Sequence, residues 1–352
     1  MNKKLTHGGD WAGFLAAHGK EALDFSANIS PLGIPDGVRK ALAASADLAD
    51  RYPDPLCRSL CEALSQHDEV PADHILCGAG AADLIFRVAL ALRPRTALVT
   101  APAFSEYETA LGTVDCEVRH YLLPEDKDFR PQEDILTHIT PDVDVFFLCE
   151  PNNPSGVTTP KPLLHRILDR CRETGTVLVL DECFVGLLAD PAGHTMKGCL
   201  EDYPNLLILK AFTKLYALAG VRLGYALCAD TELLEKMRLV GQPWAVSTVA
   251  QTAGLAALRE LEYEHRVRSL ITAERPWLAQ GLRDLGLRVI PGEANYLLFR
   301  SETPLLAPLE ERGILVRSCA NYIGLDETWY RAAVRTHGEN QRLLEALGEV
   351  LA

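Results

Sequence analysis

Leu206-Leu207-Ile208-Leu209-Lys210-Ala211-Phe212-Thr213-Lys214, running on to Arg222-Leu223-Gly224-Tyr225, decides how this chain is read. The run 206–209 is apolar without alternation, the pattern of a strand buried on both faces. It delivers Lys214 to a strand end. A lysine there is costly to bury as a cation. Desolvation weakens its hold on the proton and leaves a nucleophilic amine. Arg222 follows eight residues later in an apolar, glycine-containing stretch, where a fixed guanidinium suits a phosphate. An amine able to form an imine, beside a guanidinium able to hold a phosphate, fits pyridoxal 5'-phosphate. The plain alternative is a snorkelling surface lysine and an ordinary surface arginine.

Working outward, short apolar runs at 75–77, 97–100, 117–121, 143–149, 177–180, 206–209 and 225–228 predict seven strands. Helical spacing fills 82–92, 105–111 and 162–174 between them. Strands of this kind alternating with helices indicate an α/β domain with a seven-stranded, mostly parallel sheet. Ligands of such sheets collect at the carboxyl ends of the strands. Beyond Asp230 the pattern changes to helices at 231–240 and 248–285, with a break or kink expected at Pro276. Strands at 287–290, 296–299, 314–316 and 332–334 follow, then a helix at 339–351. The expected division is a large domain at 48–240, and a smaller α+β domain with an N-terminal substrate-capping segment at 1–47 and 241–352.

Four further motifs fall at predicted strand ends. Gly78-Ala79-Gly80-Ala81-Ala82-Asp83 opens a helix, and glycines with helix N-terminal N–H groups bind phosphate well; it also reads as a plain strand-to-helix turn. In Pro102-Ala103-Phe104-Ser105-Glu106-Tyr107, Phe104 or Tyr107 could stack on a flat ring, or simply pack. Glu150-Pro151-Asn152-Asn153-Pro154-Ser155-Gly156 makes a rigid turn, from which Asn153 could donate to a phenolate oxygen. Asp181 ends the apolar strand 177–180. A buried carboxylate needs a cation, and a protonated pyridine nitrogen is one; the other reading is a helix cap.

In this order the motifs resemble the fold type I pyridoxal-phosphate enzymes, in the class I/II aminotransferase family, over nearly the whole chain. The resemblance implies that Lys214 carries the cofactor, and that Asp181 and Asn153 meet the pyridine nitrogen and ring oxygen. It assigns the phosphate to Gly80, Ala81, Ala82, Thr213 and Arg222. It also implies that Tyr52, in Arg51-Tyr52-Pro53-Asp54-Pro55, reaches the phosphate of a neighbouring subunit, which makes the chain a homodimer with shared sites. Four stretches are most similar to members that decarboxylate a phosphorylated amino acid in cobalamin synthesis, and next to members that transaminate a phosphorylated amino alcohol. They are His7-Gly8-Gly9-Asp10, the loop Phe25 to Gly33 that holds Asn28, Arg317-Ser318-Cys319-Ala320-Asn321-Tyr322-Ile323-Gly324-Leu325, and Tyr330-Arg331-Ala332-Ala333-Val334-Arg335. Arg331 matches a substrate-carboxylate arginine; Arg317 and Arg335 are then spare cations for a substrate phosphate, with His7 closing over it. Two departures stand out. Ala211 replaces a common phosphate-binding hydroxyl residue, and Phe184 replaces the tyrosine frequent in aminotransferases.

Composition narrows the partners. The chain has 352 residues, 48% hydrophobic, with a net charge of −13. It has no long basic run, so nucleic acid and acidic membrane surfaces are not expected partners. No signal-peptide core is visible and no apolar stretch is long enough to span a membrane. Ten cysteines without a Cys-x-x-Cys pair read as reduced thiols of a cytoplasmic protein, and no metal site is expected. A nicotinamide enzyme would need Gly-x-Gly-x-x-Gly after a strand, which is missing. A cofactor-binding sensor without turnover would carry an added DNA-binding segment, at odds with the acidic balance.

Overall fold

The computed structural model describes residues 7–48 and 50–352; the first six residues of the expected capping segment, and Ala49, lie outside them. Its main sheet has seven strands. In spatial order they are Ile75–Gly78, Gly224–Leu227, Leu206–Ala211, Val177–Asp181, Val145–Cys149, Thr96–Ala101 and Glu117–Leu122. Each of the seven apolar runs supplies one. Six of these strands run in one direction, and Gly224–Leu227 is antiparallel to both its neighbours.

Side chains alternate across a strand, so a run without polar interruptions must bury both faces. Leu206 and Ile208 join one core cluster, while Leu207 and Leu209 join another on the opposite face. Phe146 and Leu148 divide from Val145 and Phe147 in the same way. Each such buried side chain contributes about 1.5–3 kcal/mol of transfer free energy.

A second sheet is antiparallel, in the order Arg317–Ser318, Trp329–Ala333, Tyr296–Arg300 and Arg288–Val289. Its core includes Leu278 and Leu282 of helix Leu261–Asp284 and Leu343 and Leu347 of helix His337–Leu351. Two features depart from expectation. Helix Leu261–Asp284 runs on through Pro276, and the interruption falls instead between it and Thr248–Ala257. Pro276 costs one backbone hydrogen bond, which the apolar stripe formed by Tyr263, Val267, Ile271, Leu278 and Leu282 outweighs. The expected strand at 314–316 divides: Ile314–Leu315 pairs in parallel with Leu23–Asp24, and Arg317–Ser318 pairs with Trp329–Ala333. Among the described residues no helix is long and apolar enough to cross a membrane.

Candidate active site

The carboxyl ends of the central strands open on a cavity of about 180 Å³. Lys214, Asp181, Asn153, Thr213, Arg222, Ala81, Ala82 and Phe104 line it, with Cys149, Cys183, Phe184 and Ala211. Residues spread over 141 positions of sequence (222 − 81) thus meet in one place, because parallel strands bring their ends to one edge.

Lys214 sits in the single helical turn Phe212–Leu215 that follows strand Leu206–Ala211. Its Nζ lies 5.2 Å from the centre of the Phe184 ring. Burial pulls its proton affinity below the usual lysine range. Cys183 and Asp181 oppose this, Arg331 and Arg222 add to it, and the net direction is down. The amine is therefore unprotonated more readily than an ordinary lysine, as a nucleophile requires.

Asp181 is buried and held from two sides. The Tyr107 hydroxyl donates to its Oδ2 at 2.6 Å, and the Cys183 backbone N–H to its Oδ1 at 3.1 Å. This corrects one expectation. Tyr107 is not a wall of the cavity; its ring stacks on Phe147, with centroids 5.1 Å apart, and its hydroxyl serves Asp181. Phe104 is the aromatic at the wall, edge-on to Tyr107. The three-residue step from Phe104 to Tyr107 carries this division of labour, but nothing in sequence links Tyr107 to a carboxylate 74 positions away.

Gly80 caps helix Ala81–Leu92 with φ +88°, a region open to glycine. A Cβ there would stand 2.7 Å from Nη2 of Arg222, so the missing side chain is what lets the guanidinium lie over the helix N-terminus. Arg222 itself has φ +61° and donates from Nη1 to the Ala219 carbonyl at 3.1 Å. The turn is braced from below: Asp83 accepts the Ala79 N–H at 2.8 Å and pairs with buried Arg87. A helix N-terminus, a guanidinium and the Thr213 hydroxyl make a dianion cradle. With a lysine whose proton affinity is lowered and a strand-end carboxylate around one cavity, the donor set fits pyridoxal 5'-phosphate. Ala211 adds no hydroxyl to it.

Asn153 connects this cavity to the small sheet. Its Oδ1 accepts from Nη1 of Arg331 and from Tyr322. Arginine has only donors, so this contact fixes the amide orientation and leaves the Asn153 NH2 to offer a ligand. Arg331 is buried, donates from Nη2 to the Ser26 carbonyl at 3.0 Å, and keeps an unpartnered Nε. Among the described residues no carboxylate pairs with it. Directly across the strand pair stands Arg317, also buried, its Nη2 2.5 Å from Asn321.

The other candidates fall further out. Asn28 is buried with an unpartnered Oδ1. His7 meets Glu106 at 2.8 Å, with its ring 5.6 Å from Phe104, beside the cavity wall. Arg335 is a correction: it is no spare cation. It pairs with Glu339 at 2.7 Å, donates to the Asp24 carbonyl and lies over the Phe25 ring. The four-residue spacing from Arg335, just before the closing helix, to Glu339 in its first turn is the signal that sequence reasoning overlooked. Tyr52 does not reach its own chain's cavity and is 80% exposed.

Comparison with known proteins agrees with this geometry. The family model for aminotransferase class I and II matches residues 20–347. The chain is 41% identical to the threonine-phosphate decarboxylase of Salmonella typhimurium, covering 98% of this chain and 96% of that one. It is 31% identical to the histidinol-phosphate aminotransferase of Methanothermobacter thermautotrophicus, covering 94% and 89%. The crystal structure of the histidinol-phosphate aminotransferase from Clostridium acetobutylicum superposes with a TM-score of 0.88 at 28% identity, over 93% of this chain and 98% of that one. The chain belongs to the class I and II aminotransferase family, pyridoxal-phosphate enzymes of fold type I.

Proposed function

We propose that this protein decarboxylates a phosphorylated amino acid, L-threonine O-3-phosphate. The observation that carries the reading is the pair of buried arginines, Arg317 and Arg331, set opposite each other on neighbouring strands. Like charges in that position repel, and a substrate with two anionic groups offsets that repulsion while giving Arg331 a counter-ion. The α-carboxylate would go to Arg331, beside Asn153, and the phosphate to Arg317, which lines one cavity with His7, while Asn28 would add a buried polar group to the substrate site. The 41% relative bears a matching name.

The bound cofactor supplies an electron sink for charge developing at the substrate Cα. Lys214 would carry it covalently and, once released and protonated, return that proton to Cα after carbon dioxide leaves. Asp181, held by Tyr107, would keep a positive charge on the pyridine nitrogen. Asn153 would donate to the ring oxygen, and Phe104 would cover the ring face. Gly80, Ala81, Ala82, Thr213 and Arg222 would bind the phosphate. Tyr52 would come from a second subunit, so that two copies form a homodimer with shared sites; its exposure and its distance from its own cavity support this. A cytoplasmic location is supported by the free state of all ten cysteines.

The second reading is transamination of histidinol phosphate, favoured by the 31% relative and the superposed aminotransferase. One assay separates them. Decarboxylation releases carbon dioxide and an amino-alcohol phosphate from L-threonine phosphate, at a kcat/KM far above that for L-threonine. Histidinol phosphate with 2-oxoglutarate yields glutamate and no carbon dioxide. An enzyme that transaminates ordinary amino acids and ignores phosphorylated ones refutes both.

A further inference from the structure

Tyr52 does not stand alone. Its ring stacks on Trp244, with centroids 4.6 Å apart and planes at 29°. Both are exposed, at 80% and 44%. Trp244 is held at φ +55°, a left-handed backbone that a bulky side chain adopts at a cost. The two segments are tied a second time. Gln251 Nε2 donates to the Asp54 carbonyl at 2.9 Å and to the Val246 carbonyl at 3.0 Å. Asp54 in turn accepts the N–H groups of Leu56 and Arg58. The turn that presents Tyr52 is thus built against the turn that presents Trp244, while neither ring is buried by its own chain.

We propose that Trp244 is a positioning residue. Its indole face holds the Tyr52 ring in the direction from which its hydroxyl reaches the cofactor phosphate of a second copy of this chain. This rests on the shared-site reading above. A tyrosine on an exposed turn samples several rotamers and is ordered only on assembly. A flat aromatic partner selects one of them beforehand, so less freedom is lost when the hydroxyl meets its anion.

The test is cofactor retention by purified dimers of Tyr52→Phe, Trp244→Ala, Trp244→Phe and the double variant Tyr52→Phe/Trp244→Ala. Cofactor dissociation is followed by absorbance, and assembly by sedimentation. Tyr52→Phe should weaken cofactor binding about tenfold, the loss of one charge-assisted hydrogen bond. Trp244→Ala should lose a similar factor as a dimer, Trp244→Phe should stay within about twofold because its ring still stacks, and the double variant should be no worse than the worse single one. Wild-type retention in Trp244→Ala with a weakened Tyr52→Phe overturns the proposal and leaves the shared site intact. Wild-type retention in Tyr52→Phe overturns the shared site, and the proposal with it. Multiplying effects, or a Trp244→Ala protein that is monomeric throughout, would make Trp244 a contact in its own right and overturn its positioning role.

Discussion

Lys210 and Lys214 lie four positions apart, one in strand Leu206–Ala211 and one in the helical turn that follows, and the surroundings sort them in opposite directions. Lys210 opens on a second cavity, of about 250 Å³, lined by His67, Asp68, Glu182, Glu264 and Arg268 among others. Its Nζ is 3.5 Å from Glu182 and 3.9 Å from Asp68. Burial alone would lower its proton affinity, but the two carboxylates outweigh that and raise it. Lys214 also stands near an acid, yet both oxygens of Asp181 are engaged by Tyr107 and Cys183, and Arg331 and Arg222 add to the effect of burial. One lysine holds its proton more tightly than an ordinary lysine and the other less tightly. The difference lies less in burial than in distance: two carboxylates stand within 3.9 Å of Lys210, and among the described residues none forms an ion pair with Lys214.

The sharpest way to break this contrast is to remove each amine in turn. Lys214→Ala should abolish turnover, by at least about 10³-fold, and borohydride should no longer fix cofactor to the protein. Lys210→Met should keep borohydride-fixed cofactor on Lys214 but destabilise the fold by about 3–5 kcal/mol in denaturant unfolding, since Glu182 and Asp68 lose a buried partner. Mass spectrometry that maps the wild-type adduct to Lys210 would end the comparison.

A smaller effect comes from the same charged cluster. Asp68 and Glu264 raise the His67 pKa from 6.5 to about 9. A folded-state value above the unfolded one stabilises fully below pH 6.5 and is lost as pH rises through about 9. Stability should therefore fall across that window by roughly 1–3 kcal/mol, discounted for partial exposure. His67→Gln should flatten that part of the profile of melting temperature against pH; an unchanged slope would remove His67 from the cluster's electrostatics. The smallest effect belongs to Ala211, on the cavity wall. Ala211→Ser should tighten cofactor binding by about tenfold or less, one added hydrogen bond to a phosphate. Titration with cofactor checks it.

These effects bear on what a single sequence can disclose. All seven strands of the main sheet were legible because each is an apolar run with punctuation at both ends, a local property. Lys214, Asp181 and Asn153 were legible as candidates because strand ends in such a sheet share an edge. The charged cluster was not: Asp68, Glu182, Lys210 and Glu264 meet only through folding, and each alone reads as an ordinary surface charge. Strand Leu23–Asp24 escaped because two residues paired with Ile314–Leu315 leave no periodic trace. Arg335 misled because its chemical type was read without its Glu339 neighbour, whereas the burial of Arg331 follows from its place in the apolar strand Trp329–Ala333.

The antiparallel course of Gly224–Leu227 has one more consequence. Ala211 pairs with Gly224, so the chain that leaves the lysine strand turns straight back instead of crossing the sheet. A Cβ on Gly224 would come within 2.7 Å of the Ala81 nitrogen, so the returning strand is pressed against the phosphate turn. Lys214 and Arg222 therefore stand on one short connection, where the proposed roles would have them hold the two ends of one small rigid molecule. Connections between strands ordinarily tolerate added residues at little cost. Here an added residue would move Arg222 off Gly80 or break the pairing of Ala211 with Gly224. The connection would serve as a ruler, its length matched to a ligand held between Lys214 and Arg222 as well as to the strand pairing.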